Sequence, residues 1–356
     1  MSTHTVVLIP GDGIGPEVAL AVRSVFEAIG APVRFLERQA GKAALARGHS
    51  KLLPEETLDA IREHHLALKG PCTTPIGRGF ESVNVALRKE LSLYAALRPV
   101  RSLPGVRTRY KDVDLIIIRE NTEGLYGGGE NLISDGVAVA MKVATRGGCR
   151  RIANWGFRCA TQYQRKKLTV FHKANILKLT DGMLLDEARK SHAEIGSALE
   201  YEEHLLDSAQ MRLVQDPSRF DVILCENLYG DIVSDLCAGL VGGLGVCPGA
   251  NFGDQDAVFE AVHGSAPDIA GQDKANPLAL LMSATMLLDH IAEIRSDERC
   301  RGLAARIRFA YEAALADGQT TADLGGVLGT REFTRALIER LQAQLAGRAV
   351  RQSKGH

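Results

Sequence analysis

Asn227-Leu-Tyr-Gly-Asp231-Ile-Val-Ser-Asp235-Leu-Cys-Ala-Gly239-Leu-Val-Gly-Gly-Leu-Gly245 is the stretch that decides how this chain is read. It follows Phe220-Asp-Val-Ile-Leu-Cys225, a short apolar run of the kind that forms a buried strand. A helix is predicted after Gly230, with Asp231 and Asp235 at i and i+4. That spacing puts both carboxylates on one face, about 5–6 Å apart at Cβ. Like charges so close repel, so a positive group is expected between them. Hard oxygen ligands suit Mg²⁺ or Mn²⁺, which bind through a few carboxylates, water and the substrate itself. On its own the pair also fits acidic residues placed at a helix start to favour its dipole.

Working outward, the strand Leu168-Thr-Val-Phe171 ends in His172-Lys173-Ala-Asn175. A lysine beside aspartates and a metal can lose its proton near neutrality and serve as general base. Alone, Lys173 also fits a salt-bridge lysine. Asp207 opens an amphipathic piece just before the Asp231 segment. A strand at Asp114–Ile118 runs into Arg119-Glu-Asn-Thr-Glu-Gly-Leu-Tyr126-Gly-Gly-Gly129, a polar, glycine-rich loop. The Tyr126 phenol is either an acid or a half-buried ring. Arg88, Arg98 and Arg119, punctuated by Ser82 and Asn84, form the basic set that a polycarboxylate requires. Arginine grips carboxylates bidentately, although each one singly also fits scattered surface charge.

At the start of the chain, Thr5–Ile9 reads as a strand and is followed by Pro10-Gly-Asp-Gly-Ile-Gly-Pro16 and a helical pattern over Glu17–Ile29. The Rossmann spacing needs its third glycine where Pro16 stands, so a standard dinucleotide phosphate loop is rejected. Pro16 fits a first-turn helix proline instead. Further elements are predicted as a strand at Val33–Glu37, a helix at Pro54–Glu63, a strand at Leu66–Lys69, and helices at Leu278–His290, Glu298–Ala316 and Thr334–Leu345.

A length of 356 residues predicts two lobes. The 45% hydrophobic and 24% charged content is that of a globular protein, and zero net charge argues against a nucleic-acid surface. The seven cysteines form no C-x-x-C pair and are expected to be reduced. The apolar windows are too short to span a bilayer. Met-Ser-Thr-His runs straight into a strand without a signal or transit pattern, so the expected location is cytoplasmic.

Five segments in this order resemble the β-decarboxylating hydroxyacid dehydrogenases that act on isocitrate, homoisocitrate and 3-isopropylmalate. They are Pro-Gly-Asp-Gly-Ile-Gly-Pro, Arg-Glu-Asn-Thr-Glu-Gly, His-Lys-Ala-Asn, Asn-Leu-Tyr-Gly-Asp-Ile-Val-Ser-Asp and His263-Gly-Ser-Ala-Pro-Asp-Ile-Ala-Gly. The likeness runs from Thr5 to about Leu345. It implies an α/β, two-domain fold that is not Rossmann, with a large domain over 1–94 and 242–356. The small domain, 95–241, would carry a dimerisation clasp. The resemblance further implies a homodimer with shared active sites, or a tetramer of such dimers, and no nucleic-acid or membrane partner.

By the same resemblance, Asp231 and Asp235 are metal ligands from one subunit, and Asp207 is one from the other. Lys173 and Tyr126 are the catalytic pair. Thr74, Ser82, Asn84, Arg88, Arg98, Arg119 and Asn175 are the substrate contacts, and His263, Gly264, Asp268, Ile269 and Asn276 line the cofactor site. Ser82-Val-Asn84-Val-Ala-Leu-Arg88 fits the pattern that meets the isocitrate γ-carboxylate, where isopropylmalate enzymes place leucines. Asp268-Ile269 stands where NADP-using relatives carry Lys-Tyr, and a carboxylate there favours ribose hydroxyls over a 2′-phosphate, so NAD is expected. The implied function is metal-dependent oxidative decarboxylation of isocitrate. The alternatives are a homoisocitrate or isopropylmalate enzyme, and a non-catalytic regulatory subunit.

Overall fold

The computed structural model describes residues 3–73, 82–195 and 198–353. Its strands are β1 (His4–Ile9), β2 (Val33–Glu37), β3 (Leu66–Lys69), β4 (Ala95–Arg101), β5 (Asp114–Glu120), β6 (Glu130–Ser134), β7 (Val137–Ala140), β8 (Lys167–His172), β9 (Glu200–Leu205), β10 (Val222–Cys225), β11 (Pro248–Phe252) and β12 (Ala257–Ala261). Its α-helices are α1 (Gly15–Ala28), α2 (Lys42–Ala46), α3 (Glu55–His64), α4 (Val83–Glu90), α5 (Gly124–Gly127), α6 (Arg146–Gln162), α7 (Thr180–Ile195), α8 (Leu206–Gln215), α9 (Asn227–Val241), α10 (Leu278–Arg295), α11 (Glu298–Ala316) and α12 (Thr330–Ser353).

One sheet carries ten of these strands in the order β2-β1-β3-β12-β11-β4-β5-β10-β8-β9. Strands β2, β1, β3 and β12 run parallel, as do β5, β10, β8 and β9. Between the two blocks, β11 and β4 are antiparallel to each of their neighbours, so the second block runs opposite to the first. Leu115-Ile-Ile-Ile118 is buried throughout, as a strand covered on both faces must be. Its side chains alternate. Leu115 and Ile117 join the core that includes Val233 and Cys237 of α9, whereas Ile116 and Ile118 join Ile152 and Phe157 of α6. Arg119, two residues beyond Ile117, therefore falls on the face covered by α9.

Several boundaries differ from the sequence expectation. The aspartate helix begins at Asn227 rather than after Gly230, because the Glu226 carboxylate accepts the Tyr229 amide at 2.8 Å and caps an earlier start. Strand β9, Glu-Tyr-Glu-Glu-His-Leu, was not anticipated. It pairs only with β8, and a charged sequence is what an edge strand uses to avoid further pairing. Pro16 does occupy the first turn of α1.

Strands β6 and β7 form a separate hairpin whose residues are all exposed, Leu132 at 73% and Ile133 at 66%. A lone hairpin is marginal in water, and exposed apolar side chains on one mark a contact surface. All seven cysteines are free, and no described helix is long and apolar enough to cross a membrane.

Candidate active site

The site is built where α9 meets the end of β5. Gly230 permits the approach, since a Cβ there would lie 2.6 Å from the Cβ and Cγ of Arg119. Arg119 is 2% exposed and fully engaged. Its Nε and Nη2 donate to Asn227 Oδ1 at 3.0 and 2.7 Å, and its Nη1 donates to Asp231 Oδ1. The Tyr126 hydroxyl donates to the other oxygen of Asp231 at 2.8 Å, and the Arg119 guanidinium stands 5.4 Å from the Tyr126 ring centre. The positive group beside Asp231 is thus, in this single chain, an arginine.

Arg98 on β4 and Arg88 on α4 complete the basic set. Arg98 is 5% exposed, and its Nε and Nη1 are buried without a hydrogen-bond partner. Burial, and next the Arg119 charge, push Arg88 down to about 10. Burial also lowers Arg119, against the pull of Asp231. Burial first, and Asp231 second, raise the Asp235 carboxyl. For Tyr126, burial and the hydrogen bond to Asp231 push the phenol up, so it remains a proton donor. Ser82 sits at the N-cap of α4 with no side-chain cap bond, and the buried Asn84 Oδ1 has no partner. Thr74 lies outside the described residues.

Lys173 and Asp207 form a second group. Lys173 follows β8, and its Nζ donates to Asp207 Oδ1 at 2.7 Å, while its backbone amide donates to Asp181 Oδ2 at 2.7 Å. That lysine holds the Asp207 carboxyl below its usual range. Asn175 is exposed in the turn that follows. Among the described residues no hydrogen bond or ion pair joins Lys173 or Asp207 to Asp231, Asp235 or Tyr126. The three aspartates do not gather around one point within the chain. The described His, Cys, Asp and Glu side chains that come that close are His4, Asp297 and Cys300, and Arg299 already occupies both Asp297 oxygens.

On the cofactor side, burial lowers His263, whose Nδ1 lies 2.9 Å from Gly264 O and whose Nε2 is buried without a partner. Gly264 and Asp268 are exposed, and Ile269 packs against the main core. Asn276 is committed at both ends: its amide donates to Asp323 Oδ2 at 2.9 Å, and its Oδ1 accepts the Leu278 amide at 2.9 Å.

Sequence reasoning missed Lys69 and Glu260. They pair across neighbouring strands β3 and β12 at 2.9 Å, 2% and 4% exposed, and Glu260 also accepts from Arg98 at 3.3 Å and Asn251 at 2.8 Å. Although burial opposes it, the charges of Lys69 and Arg98 hold the Glu260 carboxyl well below the carboxylate range. The available signal was a charge ending each of two apolar strand runs. A cavity of about 560 Å³ between α6 and α10 contains none of the expected residues; the donor set, not cavity size, marks the chemistry.

The sequence model of the isocitrate/isopropylmalate dehydrogenase family matches residues 5–337. The chain belongs to this family. It is 48% identical to isocitrate dehydrogenase (NAD) catalytic subunit 5, mitochondrial, of Arabidopsis thaliana, across 95% of this chain and 88% of that one. It is 46% identical to isocitrate dehydrogenase (NAD) subunit alpha, mitochondrial, of Homo sapiens, across 95% and 91%. Among solved structures, the isocitrate dehydrogenase of Methylococcus capsulatus superposes with a TM-score of 0.89 at 45% identity, covering 95% of this chain and 99% of that one. The expected non-Rossmann dehydrogenase fold and the expectation of an oxidoreductase of this family are borne out. The cytoplasmic location is not: the curated relatives are named as mitochondrial subunits. Location is written in removable targeting segments, and neither the composition nor the thiols of a folded dehydrogenase carry it.

Proposed function

We propose that this chain is a catalytic isocitrate dehydrogenase that reduces NAD⁺, with Mg²⁺ or Mn²⁺, and yields 2-oxoglutarate and CO₂. The observation that carries the reading is the convergence of Arg88, Arg98 and Arg119 on the aspartate helix, with unpaired donors on Arg98 and a protonated phenol on Tyr126. Such a set holds a polycarboxylate and places an acid beside it. Ser82 and the unpaired Asn84 Oδ1 supply polar contacts where an isopropyl group would need apolar ones. The relatives' names favour NAD⁺, and so does the exposed carboxylate of Asp268.

The donor chemistry fits a hard divalent ion. Asp235 offers carboxylate oxygens one turn from Asp231, whose own two oxygens are held by Arg119 and Tyr126 in the single chain and would exchange one of these partners for the ion; the raised Asp235 carboxyl is relieved by a cation beside it. When bound, the ion supplies Lewis-acid polarisation of the substrate and NAD⁺ supplies the hydride acceptor. Lys173 takes the proton of the C2 hydroxyl, the arginines hold the carboxylates, and Tyr126 returns a proton to carbon after CO₂ has left. Because Lys173 and Asp207 stand apart from Asp231 within one chain, a second copy supplies them, and the exposed β6–β7 arm is where that copy is gripped. The division into 1–94 with 242–356 and 95–241 is part of this reading. It is supported by one core whose buried members, Tyr94 apart, all fall within 95–241, while the larger core draws on both segments.

The test is NADH formation by the purified protein with Mn²⁺, comparing isocitrate, homoisocitrate and 3-isopropylmalate, each with NAD⁺ and NADP⁺. Turnover confined to isocitrate with NAD⁺ is expected. Preference for a longer or apolar acid overturns the reading of Ser82 and Asn84, and no turnover with any pair replaces the enzyme with a regulatory subunit.

A further inference from the structure

The segment Pro10-Gly-Asp-Gly-Ile-Gly-Pro16 imitates a phosphate-binding turn, and the structure shows what occupies it. Asp12 is 8% exposed, yet its carboxylate is saturated by backbone amides. Oδ2 accepts Thr73 N at 2.7 Å and Lys42 N at 3.0 Å, and Oδ1 accepts Ala43 N at 2.8 Å. Amides converging in this way form the concavity that elsewhere binds a phosphate. Here the chain fills it with its own anion. The N-cap residue of α2, Gly41, makes no side-chain cap bond, so Asp12 caps that helix from a distance of 30 residues.

The same turn grips a third segment. Asp12 N donates to Pro71 O at 2.7 Å, Ile14 N donates to Ser265 O at 2.9 Å, and the hydroxyls of Thr73 and Ser265 share a hydrogen bond of 2.6 Å. The crossings are tight: a Cβ at Gly13 would lie 1.9 Å from Ser265 O, and one at Gly41 would lie 2.1 Å from Asp12 Oδ2. Thr73 directly precedes Thr74 and the run that leads to Ser82, on the substrate side. Ser265 follows His263 and Gly264, on the cofactor side. The Asp12 carboxylate holds Thr73 directly, and Ser265 is held in turn by the backbone of the same loop at Ile14 and by the Thr73 hydroxyl.

We infer that Asp12 is a positioning residue for the reaction: its carboxylate sets the spacing of the substrate-side segment at Thr73 against the cofactor-side segment at Ser265. The inference takes the identity of the two ligands from the function proposed above. Loss of Asp12 loosens both binding sites and leaves Lys173, Tyr126 and the aspartates in place.

The experiment uses the full chain as Asp12→Ala and Asp12→Asn, with the parent assayed first. For Asp12→Ala we expect the KM for isocitrate and for NAD⁺ each to rise at least tenfold while kcat stays within threefold. Added sodium formate, a small anion that fits the vacated amides, is expected to restore most of the KM loss, and Asp12→Asn, with one acceptor oxygen left, to fall between. A merely structural role lowers kcat with the folded fraction, leaves KM unchanged and is indifferent to formate; that result overturns the inference. Should Asp12→Ala fail to fold, amide exchange in the parent decides: slow exchange at Lys42, Ala43 and Thr73 together supports the clamp, and fast exchange at Thr73 overturns it. If the parent prefers another acid, the functional reading falls and the KM comparison is made with that acid. If the parent turns over nothing, calorimetric NAD⁺ binding by parent and Asp12→Ala makes the comparison, equal affinity overturning the inference.

Discussion

Two lysine–carboxylate pairs in this molecule have nearly the same length and opposite natures. Lys69 and Glu260 meet at 2.9 Å with side chains 2% and 4% exposed; Lys173 and Asp207 meet at 2.7 Å with side chains 30% and 68% exposed. Distance therefore says little about what an ion pair does, and solvent decides. The buried pair has surrendered its hydration, so each member depends on the other and on Arg98 and Asn251. The exposed pair keeps water as an alternative partner, contributes little to stability, and can part at little cost. One pair is fixed by its burial and the other is free to rearrange.

The comparison can be broken at several points. The largest effect is expected from Lys173→Met, which should lower kcat for isocitrate oxidation by about 10²–10⁴-fold, the usual worth of a general base. Its urea midpoint should match that of the parent; a shifted midpoint would make Lys173 a structural residue. Lys69→Met leaves Glu260 buried with an incomplete set of partners, and denaturant titration should show a loss of about 3–5 kcal/mol. A loss near zero would mean that Arg98 and Asn251 suffice to neutralise Glu260.

The pairs should also separate by pH. Glu260 is depressed below its ordinary value of 4.5, so its contribution is complete above that pH and is lost as acid carries the carboxyl through its lower folded value. Lys69 is raised above its ordinary 10.5, so its contribution is complete below that pH and is lost only as base passes the folded value. Between these limits the stability due to the pair should be flat. A urea midpoint followed from pH 3 to pH 7 should fall on the acid side in the parent and fall less steeply in Glu260→Gln. The smallest effect belongs to Asp207→Asn, for which no measurable change in midpoint is expected at any pH in that range. A clear acid-side change there would show that the exposed pair is as structural as the buried one.

How much was legible depended on the range of the interaction that decides each feature. Strand β10, helix α9 and the i, i+4 aspartates were readable because apolar runs and helical spacing are local properties, and the five motifs carry their chemistry within a few residues. The early start of α9 was readable in principle from Glu226, a capping side chain only three residues from the amide it accepts. Strand β9 was not, because its charged sequence makes sense only at the edge of a sheet whose order is set elsewhere. The contact between the Asn276 amide and Asp323, 47 residues on, was not readable either, because no local pattern joins the two.

By itself, then, the sequence determined the family and the kind of chemistry, since these rest on residue types at short spacing. Tertiary structure alone decided which charges lose their water. Lys69 and Glu260 lie 191 positions apart and become one buried pair only because β3 and β12 are neighbours in register. Arg88, Arg98 and Arg119 come close enough to act on one another's charge only because the fold draws α4, β4 and β5 together. Burial and convergence are properties of the packed sheet, and no local pattern of residues contains them.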